Sequence, residues 1–253
     1  MLNNLFITKV LLKGMDNYNC YPYNIPLITN FKELNFNKPV TFIVGENGSG
    51  KSTFLEALAI SVGLNPEGGS KNMVFNTYET HSSLHQNMVV YKGIRKPSTK
   101  YFFRAESFYN VATETEKNSD ALYYGMNGVS LHNSSHGESF INLIKNRFYP
   151  NGLYLMDEPE AALSPTNQMK MLVLINDLVK NGAQFIICTH SPIILAYPNA
   201  EIYQINNGEL ILTEYKNTDL FSLYKRFVLD YDRVIKDLID WYWQTTCCVI
   251  YFL

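Results

Sequence analysis

A nine-residue run, GENGSGKST at positions 45–53, constrains this chain more than any other feature. It follows the apolar run VTFIV at 40–44 and precedes the helix-like stretch FLEALAISVGL. Strand, glycine-rich loop and helix, in that order, are the context in which the pattern G-x-x-x-x-G-K-[ST] is meaningful. Gly45, Gly48 and Gly50 permit backbone angles that other residues avoid, so successive N–H groups can turn inward around phosphate oxygens. The helix N-terminus behind the loop favours an anion at the same place.

Two side chains near the end of this run have distinct roles in such a loop. Lys51 supplies a positive charge to the β- and γ-phosphates of a nucleotide, and Ser52 offers a hydroxyl to Mg²⁺. The alternative is a chance glycine-rich turn, but four constrained positions coincide in under roughly one chain in a hundred. The run therefore predicts nucleotide binding, with Lys51 also serving catalysis. The predicted binding residues in it are Gly45, Asn47, Gly48, Ser49, Gly50, Lys51, Ser52 and Thr53.

The run LYLMDEPE at 153–160 places two carboxylates directly after an apolar strand. Open α/β sheets bind ligands at the carboxyl ends of their strands. In phosphoryl transfer a carboxylate at that point helps to hold Mg²⁺, and a second one can orient and deprotonate the attacking water. We therefore assign Asp157 to the metal and Glu158 to catalysis. The alternative is a solvated acidic turn before Pro159, and the glycine-rich loop upstream weighs against it.

The run QFIICTHSP at 184–192 is a second apolar strand that ends in polar residues. Between it and the acidic strand lies a stretch with helical spacing of apolar residues. Ser164 is its predicted N-cap, Pro165 its first residue and Gly182 its stop. Strand, helix and strand in that order form a βαβ unit, so the predicted fold class is α/β with a largely parallel sheet. His190 is then expected near the γ-phosphate as a hydrogen-bonding catalytic group, although a lone histidine is more often structural.

The remaining chain shows further short β-like runs and one amphipathic stretch. Residues 66–130 mix short strands with Gly, Asn and Ser clusters, and we expect an irregular lobe beside the sheet. Residues 219–243 repeat apolar side chains every three or four positions, which predicts an amphipathic helix. Packing on the core is the expected fate of this helix, with packing on a partner as the alternative. The other predicted strands are residues 5–12, 88–94, 100–103, 201–205 and 209–215.

Composition sets limits on the function. The formal net charge of −2 and the isoelectric point near 6.2 give no global attraction to nucleic acid. The sequence contains no CxxC pair, so buried or incidental thiols are expected rather than a metal site or a disulfide. The first residues lack the pattern of a secretion signal, and no run approaches the ~20 apolar residues that span a bilayer. We therefore expect a cytoplasmic protein. The cysteines are Cys20, Cys188, Cys247 and Cys248.

Several runs together resemble the nucleotide-binding domain of ABC-type ATPases. Within that class the chain looks like small stand-alone bacterial ATPases, and like the ATPase heads of chromosome-maintenance and recombination-repair proteins. The resemblance spans residues 1–215. It implies a P-loop NTPase domain with a mostly parallel central sheet flanked by helices, plus an antiparallel β region. Residues 216–253 follow as a C-terminal helix and an atypical tail. The matching runs are PVTFIVGENGSGKSTFLEALA, FFRAESFYNVAT, SLHNSSHGESF, GLYLMDEPEAALSP and QFIICTHSPIILAYP.

The resemblance also assigns residues. The signature motif, usually Leu-Ser-Gly-Gly-Gln, falls on residues 134–138, where Ser135 and Gly137 keep the matching types and the other three positions depart. These two are the implied contacts to nucleotide. The metal-contacting Gln of the family corresponds to Glu106, and its switch histidine to His190. The loop that crosses the dimer corresponds to Ala161, Ala162 and Leu163, and its usual final Asp is Ser164. Candidates for stacking on adenine are Tyr18, Tyr21 and Tyr23.

The resemblance implies how such a protein works. In ABC-type ATPases each signature loop closes on the γ-phosphate held by the partner subunit. ATP and Mg²⁺ are therefore the implied ligands, and a homodimer joined by ATP and released by hydrolysis is the implied assembly. It would act as a switch or motor for a nucleic acid or protein partner.

A transporter subunit is one alternative, and the short stretch between Glu106 and the signature counts against it. A non-catalytic nucleotide-sensing scaffold is the other. A kinase or GTPase is disfavoured, since we find no Arg-rich lid and no Asn-Lys-x-Asp run.

Overall fold

A computed structural model describes residues 4–14, 19–69, 82–105 and 136–250. The chain forms two compact units, Met1–Thr213 and Glu214–Leu253, and each is described by itself. In the described residues the strands are β1 (Ile7–Leu12), β2 (Glu33–Asn35), β3 (Val40–Val44), β4 (Met88–Lys92), β5 (Thr99–Arg104), β6 (Gly152–Asp157), β7 (Gln184–Cys188), β8 (Glu201–Asn206) and β9 (Glu209–Thr213). The helices are α1 (Pro26–Asn30), α2 (Lys51–Ser61), α3 (His136–Arg147), α4 (Pro165–Lys180), α5 (Pro192–Leu195), α6 (Asp219–Leu229) and α7 (Tyr231–Ile250).

The central sheet has six strands in the order β5-β6-β7-β3-β8-β9. Its neighbouring strands run parallel except for β8 and β9, which form an antiparallel hairpin at one edge. β3, β6 and β7 are buried along their whole length. Continuous burial is expected for parallel strands that are covered on both faces. The predicted α/β fold class with a mostly parallel sheet is confirmed.

β6, α4 and β7 form the βαβ unit that the sequence predicts. β6 pairs directly with β7 in parallel, with Asp157 opposite Cys188. Ser164 Oγ accepts a hydrogen bond from the Asn167 amide at 3.4 Å, and Pro165 is the first residue of α4. Gly182 follows the helix with a φ of 83°, a left-handed angle that suits glycine after a helix C-terminus. The unit brings the polar residues after β6 beside those after β7.

A second sheet is antiparallel and has the order β2-β1-β4. β1 pairs with β4 from Ile7 to Leu12, and with β2 from Lys9 to Leu11. β2 was not among the predicted strands, because its three residues, ELN, are too few for a period of two to be recognised. β4 and β5 lie inside the stretch 66–130 and confirm the strands predicted at 88–94 and 100–103. Each is a regular strand of a sheet, since β4 pairs with β1 and β5 pairs with β6.

Gln184 fastens this second sheet to the central one. Its side chain is buried at the start of β7. Its Oε1 accepts hydrogen bonds from the amides of Phe6 at 2.8 Å and Ile7 at 3.0 Å, and its Nε2 donates to the Ile7 carbonyl at 2.9 Å. A buried amide with its oxygen and nitrogen both paired avoids the cost of an unsatisfied polar group. The two sheets therefore share one core, which includes Val10, Leu58 and Ile186.

The C-terminal unit contains α6 and α7 where the sequence predicts one long helix. Asp230 lies between them with φ −147° and ψ 47°, outside helical geometry. Aspartate is a weak residue for a helix interior because its side chain competes for nearby backbone groups. Thr218 caps α6, with its Oγ1 accepting from the Phe221 amide at 3.1 Å. Packing of this amphipathic segment on the larger unit stays a prediction.

Candidate functional site

The glycine-rich loop lies between β3 and α2. Gly48 and Gly50 take φ angles of 77° and 99°, in the left-handed region where glycine is free of strain. Gly45 lies outside that region, and the reason for glycine there is space. A Cβ on Gly45 would lie 2.9 Å from the Ile205 Cβ of β8. Gly50 needs both properties, because a Cβ there would also lie 2.6 Å from Cγ2 of Ile25.

Lys51 is the first residue of α2 and is 4% exposed. Its Nζ donates to the carbonyls of Gly45 and Glu46, both at 2.8 Å, so the ammonium curls back over the loop. Burial lowers the pKa of Lys51, while the nearby acidic groups Glu158 and Asp157 oppose that shift. A buried cation among backbone carbonyls at a helix N-terminus is suited to bind an anionic group.

Ser52 and Asp157 come together from different elements. Ser52 Oγ on α2 lies 3.2 Å from Asp157 Oδ1 at the end of β6. A hydroxyl and a carboxylate side by side are hard oxygen ligands of the type that Mg²⁺ prefers. The described residues contain no group of three or more His, Cys, Asp or Glu that would hold a metal. Mg²⁺ needs no such cage, because it is usually bound through one or two carboxylates plus substrate phosphates.

Glu158 has a strained backbone that sequence reasoning did not foresee. Its φ of 49° and ψ of 52° are left-handed, a conformation that costs a non-glycine residue about 1–3 kcal/mol. A hydrogen bond stabilises this conformation, because the Glu158 amide donates to the Cys188 carbonyl of β7 at 3.0 Å. Its side chain remains 42% exposed. The geometry therefore turns this carboxylate out of the strand while its backbone stays tied to β7.

His190 lies beside Glu158 as the register of β6 and β7 requires. Its Nε2 is 3.5 Å from Glu158 Oε1, which is too long for a good hydrogen bond. This buried Nε2 has no hydrogen-bond partner among the described residues. Burial lowers the pKa of His190, Lys51 lowers it further, and Glu158 opposes the shift. The imidazole is therefore neutral at pH 7 and has a free ring nitrogen.

Ser49 supplies a second unpaired polar atom at the loop. Its buried Oγ has no hydrogen-bond partner within the described part of the chain. Buried polar groups are normally paired, so each unpaired one calls for an explanation. Phosphate oxygens could pair with both Ser49 Oγ and His190 Nε2. The described residues of the site therefore fit a nucleoside triphosphate.

Some sequence-predicted residues lie outside the described part of the chain. These are Tyr18, Glu106, Ser134 and Ser135. His136 and Gly137 begin the described helix α3. Of the two described adenine candidates, Tyr21 is 62% exposed. The hydroxyl of Tyr23 instead donates to Asn87 Oδ1 at 2.6 Å. The predicted site residues of the loop, β6 and β7 do converge on one edge of the central sheet.

Two residues near this edge carry no role in the sequence analysis. Ile25 contacts the loop at Gly50 from the segment before α1. Glu160 follows Glu158 in a 3₁₀ turn, Pro159–Ala162, and its carboxylate reaches the residues after β7. The only sequence signal for Glu160 is a third acid in the run DEPE. Its partners are about 30 residues away, so periodicity alone does not find them.

The glycine-rich loop between β3 and α2, beside a mostly parallel sheet, defines a P-loop NTPase domain. The AAA domain family matches residues 14–165, and the chain belongs to this family. The matched segment contains both the glycine-rich loop and the acidic end of β6. The glycine-rich loop and the acidic end of β6 thus lie within the family's shared domain, whereas β7 and His190 follow the matched segment.

A curated relative and two solved structures are similar to the chain. The relative is the xylose/arabinose import ATP-binding protein XylG of Sulfolobus acidocaldarius, 28% identical over 70% of this chain and 77% of its own length. The SMC head domain from Thermotoga maritima has 16% identity and a TM-score of 0.44, covering 83% of this chain and 100% of its own. CbiO1 from Clostridium perfringens, part of an ABC transporter complex, has 18% identity and a TM-score of 0.46, covering 93% and 99%. In the described residues, no helix has the length and apolar character to cross a membrane.

Proposed function

We propose that this protein binds ATP with Mg²⁺ and hydrolyses the γ-phosphate. The observation that carries the proposal is the meeting of Lys51, the Ser52–Asp157 pair and the Glu158–His190 pair at one sheet edge. These groups come from the start of α2 and from the ends of β6 and β7, which pair in parallel. Phosphoryl transfer needs mainly positioning and charge stabilisation, and these residues supply both.

Lys51 and the loop would hold the phosphates. On binding, the ammonium would exchange its two carbonyl partners, Gly45 and Glu46, for phosphate oxygens. The backbone N–H groups at the start of α2 would face the same oxygens. Mg²⁺, held by Ser52 and Asp157 together with the phosphates, would neutralise charge that develops during transfer. Ser49 Oγ, unpaired in the described residues, would gain a partner.

Glu158 and His190 would act on the γ-phosphate. Glu158 would accept a proton from water as the water oxygen attacks phosphorus, and the bond from phosphorus to the ADP oxygen would break. His190, which is neutral at pH 7 because burial lowers its pKa, would hydrogen-bond a γ-phosphate oxygen through Nε2. Products are ADP and inorganic phosphate, and the proton leaves Glu158 in the next step. The reaction consumes only ATP and one water molecule.

The assembly we propose is an ATP-joined homodimer. Gly137 lies in the first turn of helix α3, and the N-terminus of a helix suits a phosphate. We assign Ser135, two positions earlier in the sequence, to the same contact. Each copy would present this end to the nucleotide held by Lys51 of the other copy. ATP would favour the closed dimer because it contacts both subunits only there. Hydrolysis would then release the pair, and this cycle would act as a switch or motor for a nucleic acid or protein partner in the cytoplasm.

A transport role is the second candidate. The observation that favours it is the name of the curated relative, an import ATP-binding protein. An integral membrane protein that co-purifies with this chain in stoichiometric amount would support that role. Phosphate release by the purified chain alone, absent in Glu158→Gln, would test the hydrolysis shared by both candidates.

A further inference from the structure

Glu160 joins the turn that carries Glu158 to the segment that carries His190. Its Oε2 accepts a hydrogen bond from Thr189 Oγ1 at 2.8 Å. Its Oε1 accepts a hydrogen bond from the backbone amide of His190. Both donors follow β7 directly, whereas Glu160 lies in the turn after β6. The carboxylate therefore bridges the two strand ends at the point where the base and the switch histidine meet.

A second link closes the far end of the same turn. Gln168 Nε2 on α4 donates to the Leu163 carbonyl at 3.1 Å. Ser191 Oγ donates to Gln168 Oε1 at 2.5 Å, and the Ser191 amide donates to Thr189 Oγ1 at 3.0 Å. The turn and the post-β7 segment are thus fastened at two points. Of these two links, the one through Glu160 includes a hydrogen bond to His190 itself.

The chemistry of Glu160 matches this bridging task. A carboxylate presents two acceptor oxygens, and here each has its own donor. A glutamine in its place offers only one acceptor oxygen, so it can satisfy only one of the two donors in the same way. Burial raises the pKa of Glu160, and the bonds from His190 and Thr189 oppose that shift. Burying a carboxylate costs free energy unless hydrogen bonds compensate for the lost contact with water.

We propose that Glu160 is a positioning residue that holds the His190 backbone against the Glu158 turn, so that the imidazole stays registered with the base during hydrolysis. The same turn includes Ala161, which the resemblance places at the dimer interface. Movement of that turn on dimer closure would reach His190 through the Glu160 carboxylate. This inference rests on the proposed ATP hydrolysis.

The test compares Glu160→Ala, Glu160→Gln and Thr189→Val with a matched control. Tyr197→Phe is the control, because it removes another bond between α4 and the chain after β7, from Tyr197 to Asn176 at 3.4 Å. Steady-state ATP hydrolysis should show kcat about 10- to 100-fold lower in Glu160→Ala, since small misplacements of catalytic groups have effects of that order. KM for ATP should change less than about threefold, because the Lys51 loop is untouched. Glu160→Gln and Thr189→Val should be intermediate, and Tyr197→Phe should match wild type.

A second readout needs no nucleotide. Amide hydrogen exchange at His190 should speed up at least about tenfold in Glu160→Ala, while exchange at Ile187 inside β7 stays unchanged. Unaltered kcat in Glu160→Ala, or a fall no larger than in Tyr197→Phe, overturns the inference. If Glu160→Ala does not fold, Glu160→Gln and Thr189→Val decide by the same criteria. Wild-type hydrolysis that Glu158→Gln abolishes keeps the proposed function in place even when Glu160 proves dispensable, whereas absent wild-type hydrolysis overturns both.

Discussion

His190 Nε2 lies 3.5 Å from Glu158 Oε1, although the two residues are 32 positions apart in the chain. The parallel pairing of β6 and β7 produces this proximity, because it sets Asp157 opposite Cys188 and the two strand ends at equal height. The pair joins a carboxylate suited to accept a proton from water and an imidazole whose ring nitrogen is free for a phosphate oxygen. The predictions below follow from this arrangement and from the loop beside it.

The first prediction concerns pH. The pKa of His190 is lowered from its ordinary value of 6.5, with burial as the main cause. Below pH 6.5 His190 binds a proton more readily in the unfolded chain than in the folded chain. The free energy of unfolding that the neutral imidazole contributes is therefore present above pH 6.5 and is lost as the pH falls. The loss is at most about 1.4 kcal/mol per pH unit. The free energy of urea unfolding of wild type, relative to that of His190→Gln, should fall between pH 7.5 and 5, and a constant difference would contradict the lowered pKa.

The second prediction concerns Lys51. Lys51→Ala should weaken ATP binding roughly 100-fold or more, because hydrogen bonds from a charged group to phosphates contribute about 1.5–3 kcal/mol each. Titration calorimetry with ATP and Mg²⁺ measures this directly. Lys96→Ala, which alters an exposed lysine away from the loop, is the matched control and should bind as wild type. Equal affinity of the two variants would remove Lys51 from the site.

The third prediction compares two glycines of the loop. Gly48→Ala adds a Cβ with nothing within 4 Å, so only the left-handed φ opposes it, at about 1–2 kcal/mol. Gly50→Ala meets the same strain and also places its Cβ 2.6 Å from Ile25 Cγ2. Overpacking adds about 1–3 kcal/mol, so Gly50→Ala should unfold at clearly lower urea. Equal midpoints would show that Ile25 does not press on the loop.

The fourth prediction concerns the ion pair between Arg104 and Glu56. Arg104 Nη1 at the end of β5 lies 3.0 Å from Glu56 Oε2 on α2, with the side chains 18% and 11% exposed. Arg104→Met should cost about 2–3 kcal/mol of unfolding free energy, since it leaves the Glu56 charge largely buried without its partner. Lys9→Met, which breaks the exposed pair with Glu33, is the control and should change stability little. A similar small effect of both variants would mean that Glu56 is well solvated.

The elements that the sequence predicts best are those whose burial leaves a pattern. β6 and β7 read as continuous apolar runs because both of their faces are covered, and α4 has a visible cap, start and stop. The glycine-rich loop is found because phosphate binding demands particular residues at fixed spacing. The α/β class and the edge of the sheet that carries the site therefore follow from the sequence.

Other features depend on contacts that no local pattern records. The left-handed angle of Glu158 accompanies a hydrogen bond from its backbone N–H to the Cys188 carbonyl on the neighbouring strand. The partners of Glu160 and the contact of Ile25 with Gly50 likewise depend on how distant segments pack. The helix breaks at Asp230, but the spacing of apolar residues continues past this position without a change. Periodicity therefore predicts one helix where there are two.

The central claim is that ATP joins two copies, and the mass of Glu158→Gln tests it most directly. This variant should bind ATP but fail to remove the proton from water, so the ATP-bound dimer should accumulate. Light scattering with ATP and Mg²⁺ at micromolar protein should give twice the single-chain mass of 29.1 kDa. Adding Ser135→Arg to the variant should return it to the monomer while leaving ATP binding intact. A Glu158→Gln protein that is saturated with ATP yet stays at the monomer mass would contradict the account.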